Sequence, residues 1–233
     1  MFCHLDRFDM KLYAIPLLFM LLVVLNVNAK DNDDSLLCQR VNEESLELIS
    51  KYNLFKNNLY LDSAVILINT NLRLCQQNYK RLSLRLLYIY SVQSRYSDAL
   101  NFIGELNPDS FQEPYTKQFL ANRFFAMNAV MKNDQLNQTY YINQIILCLD
   151  QYLRDKEDEV DSLSSVTDIS HILDNPLSTV IIQYFYYQSL LHPENDVVGD
   201  IIYKEKRFNN MSSEFHDFIF LWLAEDFAIF KGI

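Results

Sequence analysis

Histidine and cysteine are the residue types in this chain that most readily bind metals or act as catalysts, and its 233 residues include four of each. Three of the histidines, His171, His192 and His216, lie far apart in the sequence and beyond the apolar N-terminal segment. None of them stands in the His-Glu-x-x-His spacing of a zinc site, and no two cysteines have the Cys-x-x-Cys spacing. The spacing therefore predicts no metal site and no cofactor.

The low glycine content excludes several classes of enzyme. The chain has three glycines, Gly104, Gly199 and Gly232, whereas average usage of about 7% would give roughly 16. Nucleotide-binding loops and the Gly-x-Ser-x-Gly turn of many hydrolases need glycines close together, and hairpin-rich β-folds need them in turns. We therefore predict a non-enzymatic protein. The alternative is a small secreted hydrolase or metal-binding protein that uses His192, His216 and nearby carboxylates.

The charge balance argues against nucleic acid as a partner. The chain has 20 Lys and Arg against 30 Asp and Glu, which gives a formal net charge of −10. Binding to a phosphate backbone requires clustered basic residues. One local cluster, formed by Arg73, Lys80, Arg81 and Arg85, is better explained by solvated helix faces. A strongly acidic protein instead favours a basic partner.

An apolar segment near the N-terminus has the dimensions of an export signal. Residues 12–25 are apolar apart from one proline, and this segment is shorter than the roughly 20 residues of a membrane-spanning helix. Val27-Asn28-Ala29 then precedes a polar stretch. We predict a signal peptide over residues 1–29 with cleavage after Ala29. The alternatives are a genuine N-terminal extension and an uncleaved anchor.

The translation start and the destination of the protein follow from this leader. Met10-Lys11 directly precedes the apolar segment and forms a better basic start than the mixed charges before it, so we favour initiation at Met10. The mature chain, residues 30–233, is expected in the periplasm of a Gram-negative cell, and otherwise in the medium or the lumen of the endoplasmic reticulum. After cleavage we expect no stable membrane span.

Hydrophobic residues recur at steps of three and four along nearly the whole mature chain, which predicts an all-α fold of antiparallel helical hairpins. The predicted helices cover residues 36–54, 59–76, 79–94, 97–106, 113–131, 135–154, 177–191 and 212–230. Residues 155–175, which are acidic and rich in serine, are predicted to be a solvated connection. The alternatives for them are a cation site and a surface for a basic partner. We expect one helical domain with a looser C-terminal section from about residue 176.

One part of the chain has the residue pattern of a helical repeat. The pattern in residues 81–108 consists of Tyr90, Tyr96, Ala99, Ile103, Leu106 and Pro108. Leu61 and Ala64 have the same three-residue spacing as Tyr96 and Ala99, and Ala64 precedes Ala99 by 35 residues. On these residues, the segment 36–154 resembles a tetratricopeptide repeat array, whose period is about 34 residues. Leu87 stands where the signature of that repeat has glycine, and an irregular α-bundle without true repeats is the alternative.

Two of the cysteines are placed to form a disulfide. If helices 36–54 and 59–76 form an antiparallel hairpin, Cys38 and Cys75 lie almost equally far from its turn and therefore side by side. Export would place them in an oxidising compartment. We predict the bridge, with two buried thiols as the alternative. Cys148 lies in an apolar helix and is predicted to be a core residue, with intermolecular pairing as the alternative.

The resemblance implies a function in protein–protein interaction. Stacked helical hairpins have no inherent chemistry, but they present a groove on which a peptide or protein can lie. We expect Arg85, Tyr88 and Tyr96 of the hairpin 79–106 to line that groove and to contact the partner. The predicted protein is an exported interaction module, such as a periplasmic adaptor, an assembly factor or an immunity-type inhibitor. Its predicted partner is a basic protein or peptide.

Overall fold

The fold is all-α, which confirms the fold class predicted from the periodicity. In a computed structural model of the chain, the described residues are 36–106, 116–192, 204–208 and 210–219. They contain helices and connections but no strand. The predicted signal peptide, with its cleavage site at Ala29 and the favoured start at Met10, lies outside the described residues. None of the described helices combines the length and the apolar character that crossing a membrane requires.

The chain divides into two compact units. The first comprises Leu17–Pro114 and is described over residues 36–106, and the second is described from Thr116 onwards. We refer to their described parts as the first unit and the second unit. The expectation of one domain with a looser section from residue 176 stays a prediction.

Four helices form the first unit, each packed against the next in sequence. They are α1 (Leu36–Phe55), α2 (Asn58–Asn71), α3 (Tyr79–Val92) and α4 (Tyr96–Glu105). The side chain of Asn57 accepts a hydrogen bond from the backbone N–H of Leu59 and so caps the start of α2.

The α1–α2 hairpin is held by an apolar face and by a covalent bridge. Four apolar residues on one face of α2 are buried, namely Leu61, Ala64, Val65 and Ile68, and each large one contributes about 1.5–3 kcal/mol on burial. At the open end of the hairpin Cys38 and Cys75 form a disulfide with 5.4 Å between their Cα atoms. The predicted pairing is therefore confirmed, although α2 ends at Asn71 and Cys75 lies in the connection after it.

Five helices form most of the second unit. They are α5 (Thr116–Met131), α6 (Gln135–Asp155), α7 (Glu157–Ser164), α8 (Ile169–Asp174) and α9 (Pro176–Leu191). The long helix α6 is central, because α5, α7 and α9 all pack against it. Cys148 is a buried free thiol in α6, as predicted for a core residue.

Short polar side chains explain where the helices of the second unit begin. Asp134 accepts a hydrogen bond from the backbone N–H of Asn137 at the start of α6, and Asp168 does the same for Ser170 at the start of α8. Asn175 caps α9, whose first residue is proline. Beyond α9 the structure describes a 3₁₀ turn, Lys206–Phe208, and a helical segment over 213–219.

The predicted connection over residues 155–175 is wrong, because this stretch contains α7 and α8. Three acidic residues occupy the first turn of α7, where the positive end of the helix dipole favours them. Val160 and Leu163 of the same helix are buried. The acidic composition that indicated a solvated loop is therefore the N-terminal charge of a short amphipathic helix.

Candidate functional site

A cleft of about 440 Å³ lies within the second unit. Helix α6 contributes Ile146, Leu147, Asp150 and Arg154, whose spacing places them on one side of the helix. The remaining lining residues are Glu157 of α7, Tyr184 and Gln188 of α9, and Glu205 and Arg207 of the segment after α9. The packing of α9 against α6 brings these parts together.

Arg207 is the centre of the charged groups in this cleft. Its Nη2 lies 2.6 Å from Oδ1 of Asp150 and 2.5 Å from Oε2 of Glu205. Its Nη1 also donates a hydrogen bond of 3.3 Å to the backbone carbonyl of Asp150. The side chain of Arg207 is 6% exposed, so its charge is neutralised by these two carboxylates rather than by water.

Two further donors complete the network. The hydroxyl of Tyr184 donates a hydrogen bond of 2.7 Å to Oε1 of Glu205, and Nε of Arg154 lies 2.9 Å from Oδ2 of Asp150. The guanidinium of Arg207 also lies 5.1 Å from the ring centre of Tyr184, within the range of a cation–π interaction. All four carboxylate oxygens of Asp150 and Glu205 therefore accept a bond from a protein side chain.

The pKa shifts in the network follow from burial and from these contacts. Burial alone would lower the pKa of Arg207, but the hydrogen bond to Asp150 and the charge of Glu205 outweigh it and raise that pKa above its ordinary value. Burial and the contact with Glu205 raise the pKa of Tyr184. Near neutral pH the arginine is therefore charged and the tyrosine is a neutral donor.

This arrangement leaves Asp150 and Glu205 poorly placed for proton transfer to or from a substrate. A general base needs a carboxylate oxygen that can reach the proton of a substrate. Asp150 and Glu205 instead direct their oxygens at Arg207, Arg154 and Tyr184. Glu157, which lines the same cleft, is exposed and forms no ion pair in the part of the chain that the structure describes.

The predicted groove residue Arg85 lies inside the first unit, with 0% exposure. Its Nη1 donates a hydrogen bond of 2.8 Å to the backbone carbonyl of Asn42 and another to Oγ of Ser45. Its Nη2 donates a hydrogen bond of 3.0 Å to the side-chain oxygen of Asn42. All three acceptors are neutral, and burial together with the charge of Arg81 lowers the pKa of Arg85 to about 10.

Tyr88 and Tyr96, the other predicted groove residues, are also buried. Burial raises the pKa of Tyr88, with a smaller contribution from Tyr52. In this conformation Arg85, Tyr88 and Tyr96 are packing residues of α3 and α4 rather than presented side chains. Their role in binding a partner stays a prediction.

The histidines of the alternative enzymatic interpretation lie on different elements. His192 is the exposed residue that directly follows α9, and His216 lies on the segment 213–219 with its Nδ1 3.7 Å from Asp217 Oδ1. His171 is exposed in the last turn of α8. Within the described ranges, no group of three His, Cys, Asp or Glu side chains is arranged to hold a metal ion.

Sequence reasoning missed the network around Arg207. Asp150 and Arg207 are 57 residues apart, and no local pattern joins them. The available signal was the uneven charge of the chain. Residues 36–106 carry eight Lys or Arg and six Asp or Glu, whereas residues 116–219 carry eight and fifteen. The acidity is thus concentrated in the region that contains the cleft.

The fold and the cleft define an all-α protein of packed adjacent helix pairs with a charged cleft in its second unit. No protein-family model, curated protein or solved structure matches the chain. Packed helix pairs are compatible with a helical repeat, and no family match identifies the repeat as a tetratricopeptide.

Proposed function

We propose that this protein is an exported, non-enzymatic interaction module that binds a basic protein or peptide through its second unit. The observation that carries the proposal is the saturated network in the cleft. Each oxygen of Asp150 and Glu205 has a side-chain donor, which supports a rigid recognition surface rather than a reactive one. The excess of acidic residues in this region supports a basic partner, since complementary charge accelerates encounter.

Export is part of the same proposal and rests on two features. The apolar segment before Ala29 has the length of a signal sequence. The Cys38–Cys75 disulfide is typical of proteins in oxidising compartments. We favour a stacked, tetratricopeptide-like array over residues 36–154 as the architecture. Such an array suits the role of an adaptor, an assembly factor or an immunity-type inhibitor.

Affinity capture with the mature chain tests the function. The bait is incubated with a periplasmic or secreted fraction at low and at high salt. We expect a stoichiometric basic partner at low salt that is lost at high salt, because screening weakens attraction between exposed charges.

Two charge-neutralising variants locate the binding region. Glu157→Gln with Asp158→Asn removes two acidic charges from the second unit, and Glu43→Gln with Glu105→Gln removes two from the first. All four side chains are exposed, so folding should be retained. We expect the first variant to lose the partner and the second to keep it. Failure to capture a partner, together with tight zinc uptake or hydrolytic turnover that His216→Ala abolishes, would establish the alternative.

A further inference from the structure

One face of α6 forms a continuous strip along the helix. Its residues are Leu136, Tyr140, Asn143, Leu147, Asp150 and Arg154, separated by four, three, four, three and four residues. This alternation keeps side chains on the same side of a helix and is the spacing that a second helix packs against in left-handed pairs. From its first to its last residue the strip extends about 27 Å along the helix axis.

The first part of the strip is apolar and exposed. Leu136 is 86% exposed, Leu147 58% and Tyr140 55%. Leucines with this exposure on one helix face do not contribute to the core of the second unit. Aligned apolar side chains of this kind are typical of interaction surfaces.

The tyrosine of the strip is supported by neighbouring rings. The ring of Tyr140 lies edge-on to that of Tyr141, with 5.2 Å between centres, and Tyr141 stacks on Phe125 at 4.9 Å. Phe125 belongs to α5, so the aromatic group joins two helices. An aromatic side chain that is held in place before binding loses less conformational freedom on contact with a partner.

The strip ends in the charged cleft. Leu147, Asp150 and Arg154 belong both to the strip and to the cleft lining, next to Glu157 and Glu205. Glu157 offers its carboxylate at the end of an apolar surface, without an ion pair among the described residues. A ligand that is apolar along one part and places a cation at Glu157, clear of the exposed guanidinium of Arg154, fits this surface.

We propose that this strip of α6 binds an amphipathic helix of a partner protein, with apolar side chains against Leu136, Tyr140 and Leu147 and a Lys or Arg at Glu157. This inference rests on the proposed function and names the partner's chemistry. Residues 116–219 carry fifteen acidic and eight basic side chains, so a second copy of this chain would meet the strip with net charge of the same sign, and an anionic membrane surface would repel the same carboxylates. A basic helix satisfies both parts of the surface.

A synthetic helix tests the inference directly. The probe is a peptide of about 20 residues with leucines at alternating steps of three and four and lysines elsewhere, long enough to cover the strip. A second peptide has glutamates in place of the lysines. Fluorescence anisotropy with the full mature chain should show binding of the lysine peptide and at least ten-fold weaker binding of the glutamate peptide.

Matched variants separate this face from general attraction to an acidic protein. Leu147→Asp should weaken binding of the lysine peptide at least ten-fold, whereas Leu59→Asp, which changes a somewhat more exposed leucine of α2, should leave it unchanged. Glu157→Gln should weaken binding three-fold or more, and Glu43→Gln in α1 should have no effect.

Equal effects of Leu147→Asp and Leu59→Asp would overturn the inference, and so would binding of the glutamate peptide as tight as that of the lysine peptide. Concentration-dependent dimers that Leu147→Asp dissociates would also overturn it, in favour of self-association. If the captured partner stays bound to the Leu147→Asp variant, this inference fails and the proposed function stands. If no partner is captured at all, the proposed function itself fails.

Discussion

Arginine is buried in both units of this protein, in two different ways. Arg85 of the first unit is enclosed by the uncharged oxygens of Asn42 and Ser45. Arg207 of the second unit lies between the carboxylates of Asp150 and Glu205. The two side chains are almost equally hidden from solvent, with 0% and 6% exposure.

The pKa values of the two arginines shift in opposite directions, although burial alone would lower both. Burial penalises a charged group wherever no opposite charge is close, and paired carboxylates reverse that effect. The comparison shows that burial of an arginine does not by itself reveal its contribution to stability. The nature of its acceptors decides whether removing it harms the fold.

The units also differ in their covalent cross-links. The first unit contains a disulfide, and the described part of the second unit contains none. We therefore expect Cys38→Ser with Cys75→Ser to lower the free energy of unfolding of the first unit by about 4 kcal/mol, because the bridge closes a loop with a separation of 37 residues. Denaturant unfolding with and without reductant measures this. Reductant should destabilise the wild type and leave the double variant unchanged.

Removing the paired arginine is expected to have the next largest effect. Arg207→Met should lower the free energy of unfolding by about 2 kcal/mol, because Asp150 and Glu205 would then lie close together without a cation. Arg154→Met is the matched control and should cost less than about 0.5 kcal/mol, because the Arg154 side chain is 67% exposed. Urea titrations of both variants give the two values. Equal losses of unfolding free energy in the two variants would show that burying the ion pairs of Arg207 adds no stability.

Removing the unpaired arginine should behave differently. We expect Arg85→Met to change the free energy of unfolding by no more than about 1 kcal/mol, and in the stabilising direction, because a buried charge with neutral acceptors is replaced by an apolar side chain of similar length. The same urea titration applies. A loss as large as that of Arg207→Met would remove the contrast between the units.

The smallest effect concerns alkaline pH. The folded-state pKa of Arg85 is about 10 and the ordinary value is 12.5, so the folded wild type releases this proton at a lower pH than the unfolded chain does. The burial penalty is therefore full below pH 10 and declines above it. Between pH 8 and pH 10 the free energy of unfolding of the wild type should rise by about 0.4 kcal/mol relative to that of Arg85→Met. At pH 10 half of the folded molecules have lost the proton of Arg85. Unfolding curves of both proteins between pH 8 and pH 11 test the sign, since a relative loss would contradict it.

The local sequence pattern was sufficient to predict the structure of the first hairpin but not that of residues 155–175. The spacing of Leu61, Ala64 and Ile68 predicts the buried face of α2, and the position of the turn predicts the disulfide. Residues 157–164 have the composition of a loop, yet Val160 and Leu163 anchor them as a helix. An acidic helix start and an acidic loop have the same composition, and only the packing of the following apolar residues distinguishes them.

The predicted contact residues show the same limit. The sequence predicts Arg85, Tyr88 and Tyr96 as groove residues because they lie on the helices of the hairpin 79–106, which should line such a surface. All three are buried, and the cleft lies elsewhere, at residues whose partners are distant in sequence. Helical periodicity identifies an inward face but not which polar side chain on that face finds an acceptor.

The sequence by itself determined the helical fold, the first hairpin and its Cys38–Cys75 bridge, because each depends on spacing within a short segment. The tertiary structure alone decided that Arg207 meets Asp150, that Arg85 meets Asn42, and that the exposed strip of α6 leads into a charged cleft. The physical reason is that electrostatic energy depends on distances between atoms. Those distances are set by how helices far apart in the chain pack together.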